Sequence, residues 1–458
     1  MMRRYRYVIL NLIITMFISL CTTGCCGCLK KFLGRDVGSH NVSGTGENEI
    51  KGENPSEIDG KEDKEEDLLI EKRKEYFKNT PIIKEQYDKC NKTQDLTKYK
   101  IDNYGILEDI FKEVNTVVNE EDRIFIQSDT EGKVFNITSA LQIANIINTN
   151  KEITVYYNFE NGNFENYKSK NSIELKLFEV NKNFNGTYIH LGDIVDRCNG
   201  EYQCLKSLLL ILYIKQELGN KVKLICGNHE LMYSHHEEKF CECFDSDSNK
   251  KINFITRLIC LTAISKGQIQ YLDQIKIGNI DYILTHKVLY REDIAQIKDF
   301  LKNKMNVKTE LKDCNIHELI NVVNANFKKC FCGIFNNYKK DEKYLDEIIE
   351  KTSMFEHLNG EIVFGQRIGQ HGYYSCLESQ ICGHDHHKIE ECYIEKMNIL
   401  FVDNFSFDLE TSSKPMVNIH FFDKNKELSK HKAFNIINDE GKLEIKIIDN
   451  FLYKGFIF

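Results

Sequence analysis

Apolar residues recur at helical spacing over 106–118, where Ile106, Ile110, Phe111, Val114, Val117 and Val118 share one face. The run RIFIQSD (123–129) is short and apolar and predicts a strand. The stretch 136–148 returns to the helical period, with Leu141, Ala144 and Ile147 on one side. Between 151 and 186 the pattern alternates, as in ITVYYNF and IELKLFEV around an ENGN turn, which predicts a β-hairpin insertion. A buried strand follows at TYIHLG (187–192). A long apolar helix is expected over 202–219, closed by Gly219, and then a strand over 221–228. Further helices are expected near 252–265, 290–304, 316–329 and 341–352. Late strands are expected at 281–286, 378–384, 398–403, 417–422 and 443–449. The early alternation of strand and helix predicts an α/β fold with parallel pairing, and the late strands read as a second sheet.

The chain begins differently. Arg3, Arg4 and Arg6 precede an apolar run over 8–20. That run is shorter than the roughly 20 residues a membrane span needs, and it fits the core of a signal peptide. LCTTGC, ending at Cys25, resembles a bacterial lipoprotein cleavage box, although Thr22 stands where an aliphatic residue is usual. The expectation is a lipoprotein-type leader over 1–24, lipidation at Cys25, and an exported, membrane-anchored protein at the periplasmic or cell surface. An uncleaved anchor helix or ordinary secretion is the alternative. Residues 34–67 hold almost no apolar side chains and cannot offset their ordering entropy, so they predict a disordered tether. With a charged helical segment from about Asp67 to Tyr87, the tether fills 25–99, and the folded body is expected over 100–458.

Hydrophobic residues make up 41% of the 458, ample for a large core. The net charge of -8, with no stripe of Lys and Arg past the leader, disfavours nucleic acid as a partner. Of 17 cysteines, Cys21, Cys25, Cys26 and Cys28 lie in or beside the leader. Cys241/Cys243 and Cys330/Cys332 form C-x-C pairs rather than a zinc pattern, so buried thiols with a few bridges are expected.

Chemistry concentrates where strands end. The first strand leads to Asp129 and Glu131. The next leads to Asp193, Asp196 and Arg197. The third leads to Asn228, His229 and Glu230. Later strands lead to His286 and to His384, His386 and His387. Sites in α/β sheets form at the carboxyl ends of strands, so these loops can converge. Asp, Asn and His are oxygen and nitrogen donors for divalent metals, and Arg197 offers a planar fork for phosphate oxygens. Each residue also has an ordinary explanation. Asp193 could serve a Gly-Asp turn, Asn228-His229 could cap a helix, and His286 could be a core histidine.

The ordered set GDIVDR, GNHE, TH and GHDHH resembles the calcineurin-like metallophosphoesterase family, closest to its phosphoprotein phosphatase branch, over roughly residues 120 to 405. The resemblance implies an α/β/β/α sandwich, two mixed β-sheets flanked by helices. It implies a pair of divalent metal ions. Asp193 would bridge them, Asp129 and His386 would complete the first, and Asn228, His286 and His384 the second. His229 would be the general acid, oriented by Asp196, and Arg197 would clamp phosphate, with Arg367 in VFGQR as a further phosphate ligand. A phosphate ester would be hydrolysed by direct attack of the hydroxide bridging the metals. Glu131 departs from the family, which has His there. As a ligand it would give a carboxylate-rich site favouring Mn²⁺, with Fe or Zn as alternatives; otherwise it is a surface loop residue. The expected substrate is a phosphorylated protein. A nucleotide or dinucleoside polyphosphate is the enzymatic alternative, and a non-catalytic, surface-tethered binding lipoprotein is the alternative outside enzymes.

Overall fold

A computed structural model describes residues 67, 68, 70–72, 74, 75, 93–117, 120–195, 203–235, 247–303, 305–307, 311, 314–337, 377–384, 393–394, 399–402, 416–427, 432–439 and 442–448. Described residues between 67 and 75 are helical. The leader, Cys25 and the tether up to residue 66 lie outside the described residues, as does the helix expected at 341–352. Among the described residues no helix is long and apolar enough to cross a membrane.

The chain runs through β1 (Gln94–Asp95), α1 (Tyr104–Val117), β2 (Arg123–Gln127), α2 (Val134–Ile143), β3 (Ile147–Asn158), β4 (Asn163–Glu165), β5 (Ser172–Val180) and β6 (Thr187–His190). It continues through α3 (Gln203–Leu218), β7 (Val222–Leu224), α4 (Asn228–His235), α5 (Asp247–Ser265), β8 (Asp273–Ile277), β9 (Ile280–Thr285), α6 (Arg291–Asn303) and α7 (Ile316–Asn337). It closes with β10 (Gln380–Cys382), β11 (Tyr393–Ile394), β12 (Ile399–Phe401), β13 (Met416–Asp423), β14 (Lys432–Asp439) and β15 (Lys442–Ile448).

Two mixed sheets carry the core. One has the order β15-β14-β13-β2-β6-β7, and the other β11-β12-β10-β9-β8. Strands β2, β6 and β7 pair in parallel, as do β9, β10 and β12. Side chains alternate across each strand, so β2 and β6 serve two cores at once. Ile124, Ile126, Ile189 and Leu191 face the second sheet, packing with Leu284, Ile381 and Phe401. Phe125 and Tyr188 belong to the other core, with Ile137 and Leu141 of α2 and Leu208 of α3. The result is the α/β architecture of mixed sheets flanked by helices that the motifs implied.

Three expectations need correction. The helix read over 136–148 ends at Ile143, because Asn145 adopts a left-handed φ of 56°. The N–H of Ile146 bonds the carbonyl of Leu141 at 2.8 Å and that of Asn145 bonds Gln142 at 3.0 Å, a Schellman closure. Ile147 therefore opens β3. The segment read as a hairpin does pair β3 with β5 antiparallel, but β4 adds to β3 and β1 to β5, making a third sheet, β1-β5-β3-β4, whose first strand precedes the expected start of the body at 100. This sheet docks on α3, where Phe164 meets the ring of Tyr213 at 5.3 Å between centroids. Finally, β13 to β15 do not join the second sheet. Strand β13 pairs antiparallel with β2 and covers an edge that would otherwise expose unpaired backbone groups.

Candidate metal centre

The carboxyl ends of β2, β6 and β7 lie side by side in one sheet, and those of β9 and β10 in the other. The loop after β2 is bonded to the loop after β6: Asp129 donates its N–H to Gly192 O at 3.0 Å, and Glu131 to Asp193 O at 2.8 Å. Glycine permits the next approach. Gly192 has φ 97°, and a Cβ there would lie 2.5 Å from the backbone nitrogen of Gly227. A Cβ on Gly227 would in turn overlap Asp193. The β6 and β7 loops therefore meet backbone to backbone.

Five side chains converge at this point. Asp193 Oδ1 lies 3.4 Å from His286 Nε2, and Asp193 Oδ2 lies 3.4 Å from His229 Nε2. His286 Nε2 is 3.2 Å from His384 Nδ1 and 2.8 Å from the side-chain oxygen of Asn228. Ligand atoms of Asp193, His286 and His384 all fall within 4.8 Å of one another. Asp193 and His286 are buried, at 2% and 0% exposure. The opposite nitrogen of His286, Nδ1, donates to the carbonyl of Leu191 at 2.8 Å. In the neutral ring that leaves the Nε2 lone pair facing the cluster, the tautomer typical of a metal-ligating histidine.

The electrostatics agree. Burial opposes the charge on Asp193, yet the imidazoles of His229, His286 and His384 hold its carboxyl well below the usual range. Burial would push His286 down, but the charge and hydrogen bond of Asp193 hold it up to about 10. Burial, and then the charge of His286, push His384 down to about 3. A proton on His286 thus occupies the point where acceptors converge. The amide of Asn228 can present either atom to the centre: nitrogen inward, it would donate to His384 Nδ1 at 3.1 Å. Oxygen inward, it adds an acceptor to a carboxylate and two imidazole nitrogens. That donor set suits a divalent transition metal, and a cation at the centre selects the second orientation.

The remaining predicted residues are placed as follows. Asp129 accepts the N–H of His384 at 3.1 Å and the hydroxyl of Ser128, so its carboxylate ties β2 to β10. Glu131 is buried, at 4% exposure, and its carboxylate pairs with Lys133 at 3.3 Å. It is not the surface residue that one reading expected, and it is not among the residues whose ligand atoms cluster. His229 donates its backbone N–H to Asp193 Oδ1 at 3.0 Å. Asp196, Arg197, His386, His387 and Arg367 lie outside the described residues.

Two participants were given no role from sequence. Glu230, in the first turn of α4, has both carboxylate oxygens on the backbone of the Asp193 loop. His190 accepts the Gly192 N–H on Nδ1 at 3.3 Å, so its Nε2 carries the proton toward Thr130 Oγ1 at 3.1 Å. Burial pushes its imidazole down to about 3, keeping it neutral. Asp129, Glu131, Asp193 and His384 all have positive φ, between 47° and 60°. Such clustering of strained non-glycine residues marks functional loops, and this signal has no counterpart in sequence.

Residues 175–388 match the family model described as calcineurin-like phosphoesterase. Curated proteins give no match. Among solved structures, the cold-active protein-tyrosine phosphatase of a psychrophilic Shewanella species is 14% identical, at TM-score 0.31, over 72% of this chain and 82% of that one. A second structure of a cold-active protein tyrosine phosphatase is also 14% identical, at TM-score 0.31, over 73% and 82%. The family match supports a hydrolase acting on phosphate ester bonds, and the family's chemistry is metal-dependent.

Proposed function

We propose that the protein is a metal-dependent phosphoesterase of the phosphoprotein phosphatase type. The observation that carries this reading is the convergence of Asp193, Asn228, His286 and His384, with the far nitrogen of His286 fixed on a backbone carbonyl. These four residues would hold one divalent ion. Asp193 would share its carboxylate with a second, completed by Asp129 and His386, and Glu131 would stay with Lys133. Bound metal supplies Lewis acidity toward phosphoryl oxygens and activates the attacking water.

The chain's own groups supply the rest. Arg197 would offer its guanidinium fork to the phosphoryl oxygens and hold the ester for attack. His229, pinned by its N–H to Asp193, would give a proton to the leaving oxygen, with Asp196 as the group that orients its ring. A phosphorylated protein is the substrate of choice, with nucleotides second. A lipid on Cys25 and the tether would hold the domain at a membrane face outside the cytoplasm.

The test is hydrolysis of p-nitrophenyl phosphate, a phosphoserine peptide and diadenosine tetraphosphate by the full chain, with Mn²⁺, Zn²⁺ or chelator. Metal-dependent turnover that Asp193→Asn abolishes is expected, fastest on the phosphopeptide. A folded protein that turns over none of the three with any metal overturns the reading in favour of a binding protein.

A further inference from the structure

Glu230 is fully buried, and its carboxylate takes four backbone N–H groups. Oε2 accepts from Gly227 at 2.7 Å and from Asp193 at 2.9 Å. Oε1 accepts from Ile194 at 2.8 Å and from Val195 at 3.1 Å. One of these bonds has an ordinary explanation. Gly227 precedes α4, and an acid three residues on reaching back to its N–H is half of a capping box. The other three bonds cap nothing. They run to the loop after β6, and the first is made by Asp193 itself.

Asp193 has φ 53°, the left-handed conformation that L side chains rarely adopt. Its N–H is held by Glu230, and its carbonyl by the N–H of Glu131. With both peptide groups fixed, the Cα–Cβ direction of Asp193 is set, and its carboxylate reaches His286 and His229. Burying a carboxylate is expensive unless its hydrogen bonds are complete, and an acceptor-only group with two oxygens is what four converging donors require. Neither Gln nor a hydroxyl residue meets that requirement: an amide would turn its N–H₂ against two of the four N–H groups.

We infer that Glu230 is a positioning residue for the metal centre, holding Asp193 in its strained, ligand-presenting conformation and registering the β6 loop against the β7 loop. The same carboxylate also holds the N–H of Val195. This inference rests on the metal-centre reading above, and its test separates the two.

Glu230→Gln and Glu230→Asp are compared with the wild-type full chain. Mn²⁺ affinity is read by calorimetry, and backbone amide exchange is read without metal. Glu230→Gln should bind Mn²⁺ about 10–100-fold more weakly, the usual loss when a residue that orients a ligand is changed. Fast exchange should appear at 193–195 and 227, while β9 amides stay as slow as in the wild type. On p-nitrophenyl phosphate, kcat should fall with KM little changed. Glu230→Asp keeps the charge with a shorter reach and should fall between the two. It also carries the test should Glu230→Gln fail to fold. Variants that match the wild type within twofold in Mn²⁺ affinity, with amides 193–195 still protected, overturn the inference alone. A wild-type chain that takes up no Mn²⁺ overturns the metal-centre reading as well, and unchanged exchange in Glu230→Gln would still overturn the loop-holding role.

Discussion

His286 shows how a single side chain reports the chemistry around it. Its imidazole is buried, yet Asp193 holds it charged up to about 10. Metal therefore has to displace a proton from it at neutral pH. Mn²⁺ affinity should rise with pH between about 6 and 9, with about one proton released per ion. Calorimetry in buffers of different ionisation heat checks this, and zero proton release would contradict it. The sign reverses for folding of the metal-free chain. A raised folded value stabilises the native state fully below the ordinary 6.5, and the contribution is lost as pH rises through about 10. Asp193, Asn228, His286 and His384 were readable from sequence as residues that could converge, since Asp, Asn and His after apolar runs are ligand-type chemistry. Glu230 was not, because in sequence it is an ordinary first-turn acid. Its three bonds to the β6 loop exist only once residues 193–195 fold against it. His190 was hidden for the same reason, as one polar position in a buried strand.

At the level of elements, periodicity located most helices and strands but not where they stop. Asn145 is the example. Its left-handed φ ends α2 and starts β3, whereas the apolar spacing ran on through Ile147. Asn145→Gly should leave thermal stability unchanged or slightly raised. Asn145→Val should cost about 1–2 kcal/mol in chemical denaturation, because a branched side chain resists this conformation. Strand β6 serves a different purpose. Ile189 is fully buried between the sheets, and Ile189→Ala should cost about 2–5 kcal/mol. Sequence marked β6 as buried but could not say that its neighbours are β2 and β7, because register and sheet order are long-range properties.

For the whole molecule, the site is a product of the sheets meeting. Neither sheet holds the centre alone: β6 and β7 bring Asp193, Asn228 and His229, and β9 and β10 bring His286 and His384. Metal should therefore stabilise the whole fold. At a hundredfold excess over its Kd, Mn²⁺ should add about 2.7 kcal/mol, and Asp193→Asn should show no such gain in a thermal scan. Sequence order alone put β13 and β15 in the second sheet and missed β14, since a strand late in the chain can return to cover an early edge. The strained backbone at Asp129, Glu131, Asp193 and His384 has a further consequence. Glycine would occupy each of these positions with less strain and no chemistry. A library of this chain selected only for folding should drift toward glycine there, while one selected for turnover should not. The ratio of glycine to parental residues at the four positions would then serve as a record, written in sequence, of whether a lineage is still under selection for catalysis.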